Sequence, residues 1–284
     1  MNKLKKNNPI LNVAKRAYTN NKKRNNVAII SIVLTTVLYT VIFSLGFGTI
    51  RSVENNNLRM AGSTAHGSLK YLTEEEYTRL IQHPDIYKVG TVILAGSIEH
   101  ESLGGQFVQM DFMDEEALKM SFIDIKEGKM PEASNEIVLD TSVIKLLGGK
   151  AELGEKYILD CYLGSRVEQI EFTLCGLYEK DNAVSSLNAF VSKDFIAQYI
   201  RQADNPEENQ YIGTYRADIL FKNNRNVEDK LLGIMLDSGF QIQDVEYGMN
   251  WAYLNSTNSD NNNSIIYIFI FLILFIMTTG YLII

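Results

Sequence analysis

The three histidines of this chain are the residues whose type best suits metal binding or proton transfer. His66, His83 and His100 stand in no H-E-x-x-H pattern, and no C-x-x-C pair accompanies them. Glu99 and Glu101 flank His100, which leaves a metal site there as an alternative. Adjacent residues of a strand point to opposite faces, so only the two carboxylates would share a side. We therefore predict no metal site in this chain.

The two cysteines offer either free thiols or a disulfide. Cys161 and Cys175 lie in the apolar, strand-like runs YILDCYL and FTLCGLY. Such surroundings favour two buried free thiols. A disulfide between Cys161 and Cys175 is the alternative, because a bridge persists in an oxidising, extracytoplasmic setting.

Motifs of nucleotide-dependent and hydrolytic enzymes are missing from the sequence. It contains no G-x-x-x-x-G-K-[ST] loop and no G-x-S-x-G elbow. The pair Gly104-Gly105 is typical of a turn. We therefore predict a non-catalytic protein with no cofactor of its own and no nucleic-acid partner.

Two long apolar runs lie near the two ends of the sequence. They predict the elements that flank, and so hold, the segment in which any site would lie. Residues 27–50 and 265–284 contain no charged side chain. A helix rises about 1.5 Å per residue, so both runs are long enough to cross a hydrocarbon core of roughly 30 Å. No A-x-A-like cleavage site follows the first run, which favours a retained span over a signal peptide. We predict transmembrane helices at 27–50 and 265–284. Because the second run ends with the chain, we expect the protein to continue beyond Ile284.

The distribution of charge predicts the orientation of these spans. The first 26 residues carry eight Lys or Arg and no acidic residue, whereas residues 51–264 hold 19 basic and all 34 acidic residues, a net charge of −15. The positive-inside rule places the basic flank in the cytoplasm. We predict a multi-pass protein of the cell membrane with residues 51–264 outside, folded as an α+β domain, in two subdomains, between two transmembrane α-helices.

Two helical patterns accompany the first span. Residues 1–26 contain a basic amphipathic segment that we expect to lie along the inner membrane surface, a disordered basic tail being the alternative. Within the span, small residues recur at every fourth position and form one stripe, which predicts close packing against another helix. The stripe consists of Thr36, Thr40, Ser44 and Gly48.

The outer segment alternates short strands and short helices, the pattern of an α+β domain. Thr73 and Glu76 form a predicted capping box, and Gly164-Ser165 a predicted hairpin turn. Strands are predicted at 89–98, 106–112, 136–139, 156–163, 168–178, 188–191, 216–221 and 241–245. Helices are predicted at 73–82, 114–120, 142–147, 192–201 and 227–238, and residues 255–263 are predicted to form a polar linker.

Several stretches in order resemble the FtsX-like permeases of ABC transporters, the group that includes MacB-type permeases. The first is NPILNVAKRAYTNNKKRNN, which runs straight into the first span. The others are IKEGKMPEASNEIVLDTSVIKLLGG, AELGEKYIL and FTLCGLYEKD in the outer segment. In the stretch IKEGKMPEASNEIVLDTSVIKLLGG, the positions that match the family are Glu127, Gly128, Pro131, Asn135, Glu136 and Ile137. Their glycines and proline suit chain reversals, so these motifs carry no catalytic role.

The resemblance implies an outer domain of the MacB periplasmic core type and a permease subunit that works with a separate ABC ATP-binding subunit. It implies a dimer of permeases, or one longer permease with two ATPases, in contact with the lipid bilayer. It also implies a peptide or lipid-linked ligand and a role in export, extraction or antimicrobial peptide resistance. The alternative with the same topology is the sensor half of a two-span membrane receptor.

Overall fold

The computed structural model describes residues 9–181, 186–200, 211–240, 245–257, 270 and 272–274. The chain divides into two compact units. One comprises Met1–Val53 and Ser259–Ile284, and the other comprises Glu54–Asn258.

Two helices begin the described part of the chain. Helix α1 spans Pro9–Asn20, inside the predicted amphipathic segment, and helix α2 spans Lys22–Ala61. At about 1.5 Å per residue the 40 residues of α2 extend about 60 Å, roughly twice a hydrocarbon core. Of the helices in the described part of the chain, α2 alone is long and apolar enough to cross a membrane, and its most apolar stretch is not buried. The predicted second span, 265–284, lies outside the described residues except for positions 270 and 272–274.

The second unit is a mixed α+β domain, as the sequence predicts, in which ten strands of the described residues form one sheet. The strands are β1 (Gly67–Leu72), β2 (Ile86–Glu99), β3 (Phe107–Met113), β4 (Ile125–Gly128), β5 (Glu136–Asp140), β6 (Lys156–Leu163), β7 (Arg166–Tyr178), β8 (Asn188–Phe190), β9 (Tyr215–Phe221) and β10 (Glu246–Met249). The helices are α3 (Glu74–Leu80), α4 (Glu115–Met120), α5 (Thr141–Leu146), α6 (Lys193–Tyr199), α7 (Val227–Asp237) and α8 (Trp251–Thr257), with a short 3-10 helix at Glu101–Leu103.

Six of the strands close into a ring. The sheet runs β10-β1-β9-β2-β3-β8-β5-β7-β4, and β6 pairs with both β2 and β7, which returns the sheet to β2. Gly96 of β2 makes the closure possible, because a Cβ there would meet the carbonyl oxygen of Tyr162 at 2.3 Å and its φ is +138°. Alternate residues of the ring strands point inward and form the first hydrophobic core. Its members include Tyr157, Leu159, Cys161, Leu163, Ile170, Phe172 and Leu174.

Strands β10, β1 and β9 continue from β2 as an open sheet of four, β10-β1-β9-β2, whereas β4 pairs with β7 of the ring. Leu69, Ala217 and Ile219 on one face pack against Leu231 and Ile234 of α7 and make the second core. The opposite face of β1 and β9 is polar, because side chains alternate along a strand. It carries Ser68, Lys70, Arg216 and Asp218.

The ring and the open sheet belong to a single sheet, which carries three hydrophobic clusters, the third of them around Val138, Tyr178 and Phe190. They share one sheet because β2 is long, with 14 residues. Its first part pairs with β9 in the open sheet, and its last part pairs with β3 and β6 in the ring. One strand therefore joins both regions, and residues Glu54–Asn258 form one compact unit.

Two local predictions of the domain are confirmed. Thr73 Oγ1 accepts from the Glu76 amide at 3.2 Å, and the Glu76 carboxylate accepts from the Thr73 amide at 2.8 Å, so the capping box is present. Strands β6 and β7 pair as an antiparallel hairpin about Gly164-Ser165. Of the predicted strand at 241–245, residues 241–244 lie outside the described residues.

Candidate functional site

A cavity of about 360 Å³ lies against the polar face of the open sheet. Its walls come from the last turn of α2 and the residues after it, from β1, β3 and β9, from residues 121–123 after α4, and from the chain on both sides of positions 182–185. Phe122 in this wall has a φ of +56°, which is uncommon for an aromatic residue. The charged residues of the lining are Arg59, Lys70, Lys180, Asp181, Arg216 and Asp218.

Strand alternation and register bring Arg216 and Asp218 of β9 beside β1. The register pairs Asp218 with Ser68. Arg216 Nη2 donates to Asp218 Oδ2 at 3.1 Å, and Arg216 Nε lies 3.1 Å from Oδ1 without hydrogen-bonding alignment. Burial raises the pKa of Asp218, and the Arg216 charge opposes that rise. The pair therefore holds a carboxylate at the floor of the cavity that is only 5% exposed.

Behind the cavity lies the fully buried carboxyl of Asp111 on β3. Gln109 Nε2 donates to its two oxygens at 2.8 and 3.0 Å, and Asn188 Nδ2 donates to Oδ2 at 3.2 Å. Burial raises the pKa of Asp111 to about 6, against the lowering effect of these hydrogen bonds and of Arg216. Because Gln109 and Asn188 also line the cavity, their amides connect it to the buried acid.

An ion pair attaches the last turn of α2 to the chain after β7. Arg59 Nε lies 2.5 Å from Asp181 Oδ2, and Nη2 lies 2.8 Å from Oδ1, a bidentate arrangement. The Asp181 carboxylate raises the pKa of Arg59. The Arg59 side chain is 53% exposed, so solvent screens the pair and its main effect is on geometry.

The segment that follows α2 is bound to the turn before α8. Asn250 Nδ2 donates to the carbonyl oxygens of Ser63 and Ala65 at 2.7 and 2.9 Å, and the Asn250 amide donates to His66 O at 3.1 Å. Asn250 Oδ1 accepts from the Tyr253 amide at 3.1 Å, at the start of α8. We call this set of four hydrogen bonds the Asn250 clamp. It joins the chain that enters the domain to the chain that leaves it.

His66, one of the three histidines singled out in the sequence, strengthens the same junction. Its ring stacks on Tyr253 and Phe221, with centroids 5.3 and 6.2 Å away, and its Nδ1 accepts from the Phe221 amide at 3.2 Å. Burial lowers the pKa of His66, with a smaller contribution from the Lys230 charge. The imidazole is therefore neutral at pH 7 and acts in packing.

The predicted helix-packing stripe lies on α2, exposed along its length. Thr36 Oγ1 donates to Ile32 O at 2.8 Å, and Thr40 Oγ1 donates to Thr36 O at 2.9 Å, so both hydroxyls are satisfied within the helix. A Cβ at Gly48 would meet no atom within 4 Å. With Ser44, these residues remain a predicted surface for a neighbouring helix.

The two cysteines are free thiols, so the disulfide alternative is not formed. Cys161 faces the ring interior and pairs in register with Glu168, whereas Cys175 lies seven positions further along β7. At about 3.3 Å per residue this is roughly 23 Å, beyond the reach of a disulfide. Burial raises the pKa of Cys161 to about 12 and that of Cys175 to about 11, so both stay protonated at neutral pH.

His100, which was considered as a metal ligand together with Glu99 and Glu101, caps a local turn. His100 Nδ1 accepts from the Ser102 amide at 3.2 Å and caps the 3-10 helix. Within the part of the chain that the structure describes, no group of three or more His, Cys, Asp or Glu side chains could hold a metal ion.

The cavity residues were missed by sequence reasoning because no local motif unites them. The charges of Arg216 and Asp218, two positions apart in the predicted strand RADILF, were the available signal. A charged pair on one face of an otherwise apolar strand indicates that this face does not enter the core.

Comparison with known proteins finds solved structures that are similar to this chain. The chain matches no family model, and no curated protein matches it. It is similar to the periplasmic region of MacB from Actinobacillus actinomycetemcomitans, with 15% identity, a TM-score of 0.45, and coverage of 66% of this chain and 91% of that one. It is also similar to the extracellular domain of the noncanonic ABC-type transporter YknZ from Gram-positive bacteria, with 10% identity, a TM-score of 0.41, and coverage of 63% and 97%.

Proposed function

We propose that this chain belongs to a permease subunit of an ABC transporter. Its extracytoplasmic domain would move in response to ATP hydrolysis by a separate ATP-binding subunit. The observation that carries the proposal is the extent of α2. This helix contains the uncharged stretch 27–50 and ends at Ala61, on the wall of the cavity.

The charge distribution supports the orientation that this role requires. Eight basic residues and no acidic ones precede the span, and the acidic segment follows it. By the positive-inside rule, the N-terminus would face the compartment that contains ATP. Helix α1 would then lie at the cytoplasmic surface, near the ATP-binding subunit.

The Asn250 clamp supports a mechanical role for the domain. A displacement of the last turn of α2 would be shared with α8, because Asn250 bonds to Ser63 and Ala65. The bidentate pair of Arg59 with Asp181 would pass the same displacement to the far wall of the cavity. The motion would be a rigid-body or hinge movement of packed elements.

The proposed cargo is a peptide or a lipid-linked molecule held at the outer domain. The transporter would export or extract this molecule, or confer resistance to it. The sequence resemblance supports this class. The stripe Thr36, Thr40, Ser44 and Gly48 would pack against another span of the permease, either in the same chain or in a dimer partner.

The direct test is co-purification of the full-length protein with a separately encoded ATPase. We expect a stable complex in which ATP changes the fluorescence of Trp251, the single tryptophan of the chain. An ATPase variant without its Walker A lysine is the matched control and should give no change. Absence of both the complex and the nucleotide response would refute the proposal. A kinase or cyclase-type domain after Ile284 would favour the sensor alternative.

A further inference from the structure

Two cavities adjoin on the polar face of the open sheet. The first is the cavity of about 360 Å³ described above, and the second, of about 420 Å³, lies against β1, β10 and the start of α8. Both volumes are in the range of small-molecule sites, about 300–1,000 Å³. The two cavities are continuous because they share five lining residues, which are Ala61, Ser63, Ser68, Lys70 and Asp218. We call the joined cavities the polar groove.

The charged side chains of the polar groove already have partners. Both arginines and Lys70 form ion pairs with carboxylates, and Lys180 also has a partner. Among the described residues of the lining, no charge is therefore left unpaired. A charged ligand would have to compete with these pairs, whereas a polar ligand without charge would not.

Two side-chain amides offer acceptors to such a ligand. Gln109 and Asn188 donate through their nitrogens to the Asp111 carboxyl, which leaves each amide oxygen unused. Neither oxygen has a hydrogen-bond partner in the described chain, and neither is a buried unpaired atom. Both oxygens are therefore open to solvent, and both residues line the polar groove.

A hydroxyl-rich ligand matches this set of groups. The Ser68 hydroxyl lines both cavities and, like the two amide oxygens, has no partner among the residues that the structure describes and is not buried. An amide oxygen only accepts, whereas a serine hydroxyl donates and accepts. Sugar hydroxyls also donate and accept, so adjacent hydroxyls of one sugar can satisfy such groups without adding charge.

An exposed aromatic ring accompanies each cavity. Phe122 lines the first and Trp251 the second, and they are 42% and 56% exposed. Phe122 follows the end of α4 in a left-handed conformation, φ +56°, where glycine is usual. Strain of this kind is concentrated at functional sites. A flat aromatic ring packs well on the apolar C–H face of a sugar ring.

We propose that the polar groove binds an uncharged saccharide, with one sugar ring in each cavity. Phe122 and Trp251 would each pack on the C–H face of a sugar ring. The amide oxygens of Gln109 and Asn188 and the Ser68 hydroxyl would bond to sugar hydroxyls. Binding requires no ATPase, so this inference and the proposed function can fail independently.

The test titrates cellobiose and N,N′-diacetylchitobiose into the full chain in phosphatidylcholine nanodiscs with a tryptophan-free scaffold. Trp251 is the single tryptophan of the chain, so its fluorescence reports on the second cavity directly. We expect at least one disaccharide to give a saturable blue shift, with matching heat in isothermal titration calorimetry. N-acetyl-dialanine amide, an uncharged peptide, should give neither signal.

Two variants separate binding from folding. Phe122→Gly removes the ring and relieves the left-handed strain, so thermal unfolding should stay near that of the wild type. Its affinity for the disaccharide should fall roughly fivefold, the effect of one aromatic contact. Ser68→Ala should also weaken binding roughly fivefold, through the loss of one hydrogen bond.

Tyr87→Ala is the matched control. Tyr87 is 58% exposed on β2 and does not line the polar groove, so its variant should bind as the wild type does. The inference is overturned if neither disaccharide binds, if the peptide binds equally well, or if the Tyr87 variant loses as much affinity as the groove variants. Quenching of Trp251 by brominated phosphatidylcholine would place that ring in lipid and overturn it as well.

A second measurement distinguishes the source of the saccharide. Diglucosyl diacylglycerol is added to the nanodisc lipids, and disaccharide binding is measured again. Competition by this lipid assigns the polar groove to a glycolipid headgroup. Unchanged binding assigns it to a soluble saccharide, and both results support a saccharide site.

Discussion

The ring and the open sheet of this domain share strand β2 but use their faces differently. The ring turns one face of every strand toward a closed apolar core, whereas the open sheet covers one face with helices and leaves the other polar. Closure removes the strand edges of the ring and gives it a rigid interior. Buried carboxyl groups lie outside that interior, Asp218 on the polar face of the open sheet and Asp111 on the outer face of the ring. The contrast teaches that the ring supplies a rigid interior, and that the cavity lies where the outer face of the ring, through Gln109 and Asn188, meets the polar face of the open sheet.

The largest effect should come from opening the ring core. Phe172 is fully buried on β7 and packs on Phe195 with ring centroids 5.6 Å apart. Phe172→Ala should lower the free energy of unfolding by about 3–5 kcal/mol, because it leaves a cavity. Val167→Ala, on the exposed side of the same strand, should change it by less than about 0.5 kcal/mol. Thermal unfolding of the full chain in detergent measures both, and equal effects would contradict a closed core.

Asp111, on the outer face of the ring, should make stability depend on pH. Its pKa is raised from 3.8 to about 6. A raised pKa means that the stabilising contribution of the protonated form is complete below about pH 4 and is lost as pH rises through about 6. This loss amounts to about 3 kcal/mol.

Asp111→Asn removes that titration while its side-chain oxygen can still accept from Gln109 and Asn188. Relative to the wild type, the variant should gain about 3 kcal/mol between pH 4 and pH 8. Melting temperatures at the two pH values provide the measurement. A wild-type-like pH dependence in the variant would show that another group titrates.

Variants of Asn250 test the connection between the segment after α2 and the start of α8. Asn250→Ala removes two side-chain donors and the acceptor at the start of α8, and should cost about 2 kcal/mol. Asn250→Asp keeps the acceptor and loses the donors, so it should fall between alanine and wild type. Thermal unfolding ranks the three proteins. An aspartate variant as stable as the wild type would mean that the bonds to Ser63 and Ala65 contribute nothing.

The smallest effect should come from the helix layer that covers the open sheet. Thr73→Ala breaks the capping box of α3 and should cost about 1 kcal/mol. Thr73→Ser retains a hydroxyl acceptor for the Glu76 amide and should cost less. If both variants matched the wild type in thermal unfolding, the cap would have no part in stability.

Local signals in the sequence were sufficient for most elements of the domain. Alternation predicted β6 and β7, and the turn at Gly164-Ser165 fixed their pairing. The capping box located α3 because its donors and acceptors are three residues apart. Such features depend on neighbouring residues, so a sequence displays them directly.

Long-range features were beyond the sequence. Strands β1, β4 and β10 and helix α8 were not predicted, because each is short and gains its stability from partners far along the chain. The register of β1 with β9 that places Ser68 beside Asp218 joins residues 150 positions apart. The cavity exists only through such pairings, which explains why its charges looked like ordinary surface residues.

The pairing of β1 with β9 and β10 has a consequence for biogenesis. The first strand to emerge after α2 finds both of its neighbours near the far end of the domain. During synthesis, β1 must therefore wait with unpaired edges until nearly the whole domain has been made. Contacts of such long sequence separation form slowly and expose nascent chains to aggregation. The hairpin of β6 and β7, in contrast, can form as soon as it emerges, so folding of this domain would begin in its middle and finish where its first and last strands pair.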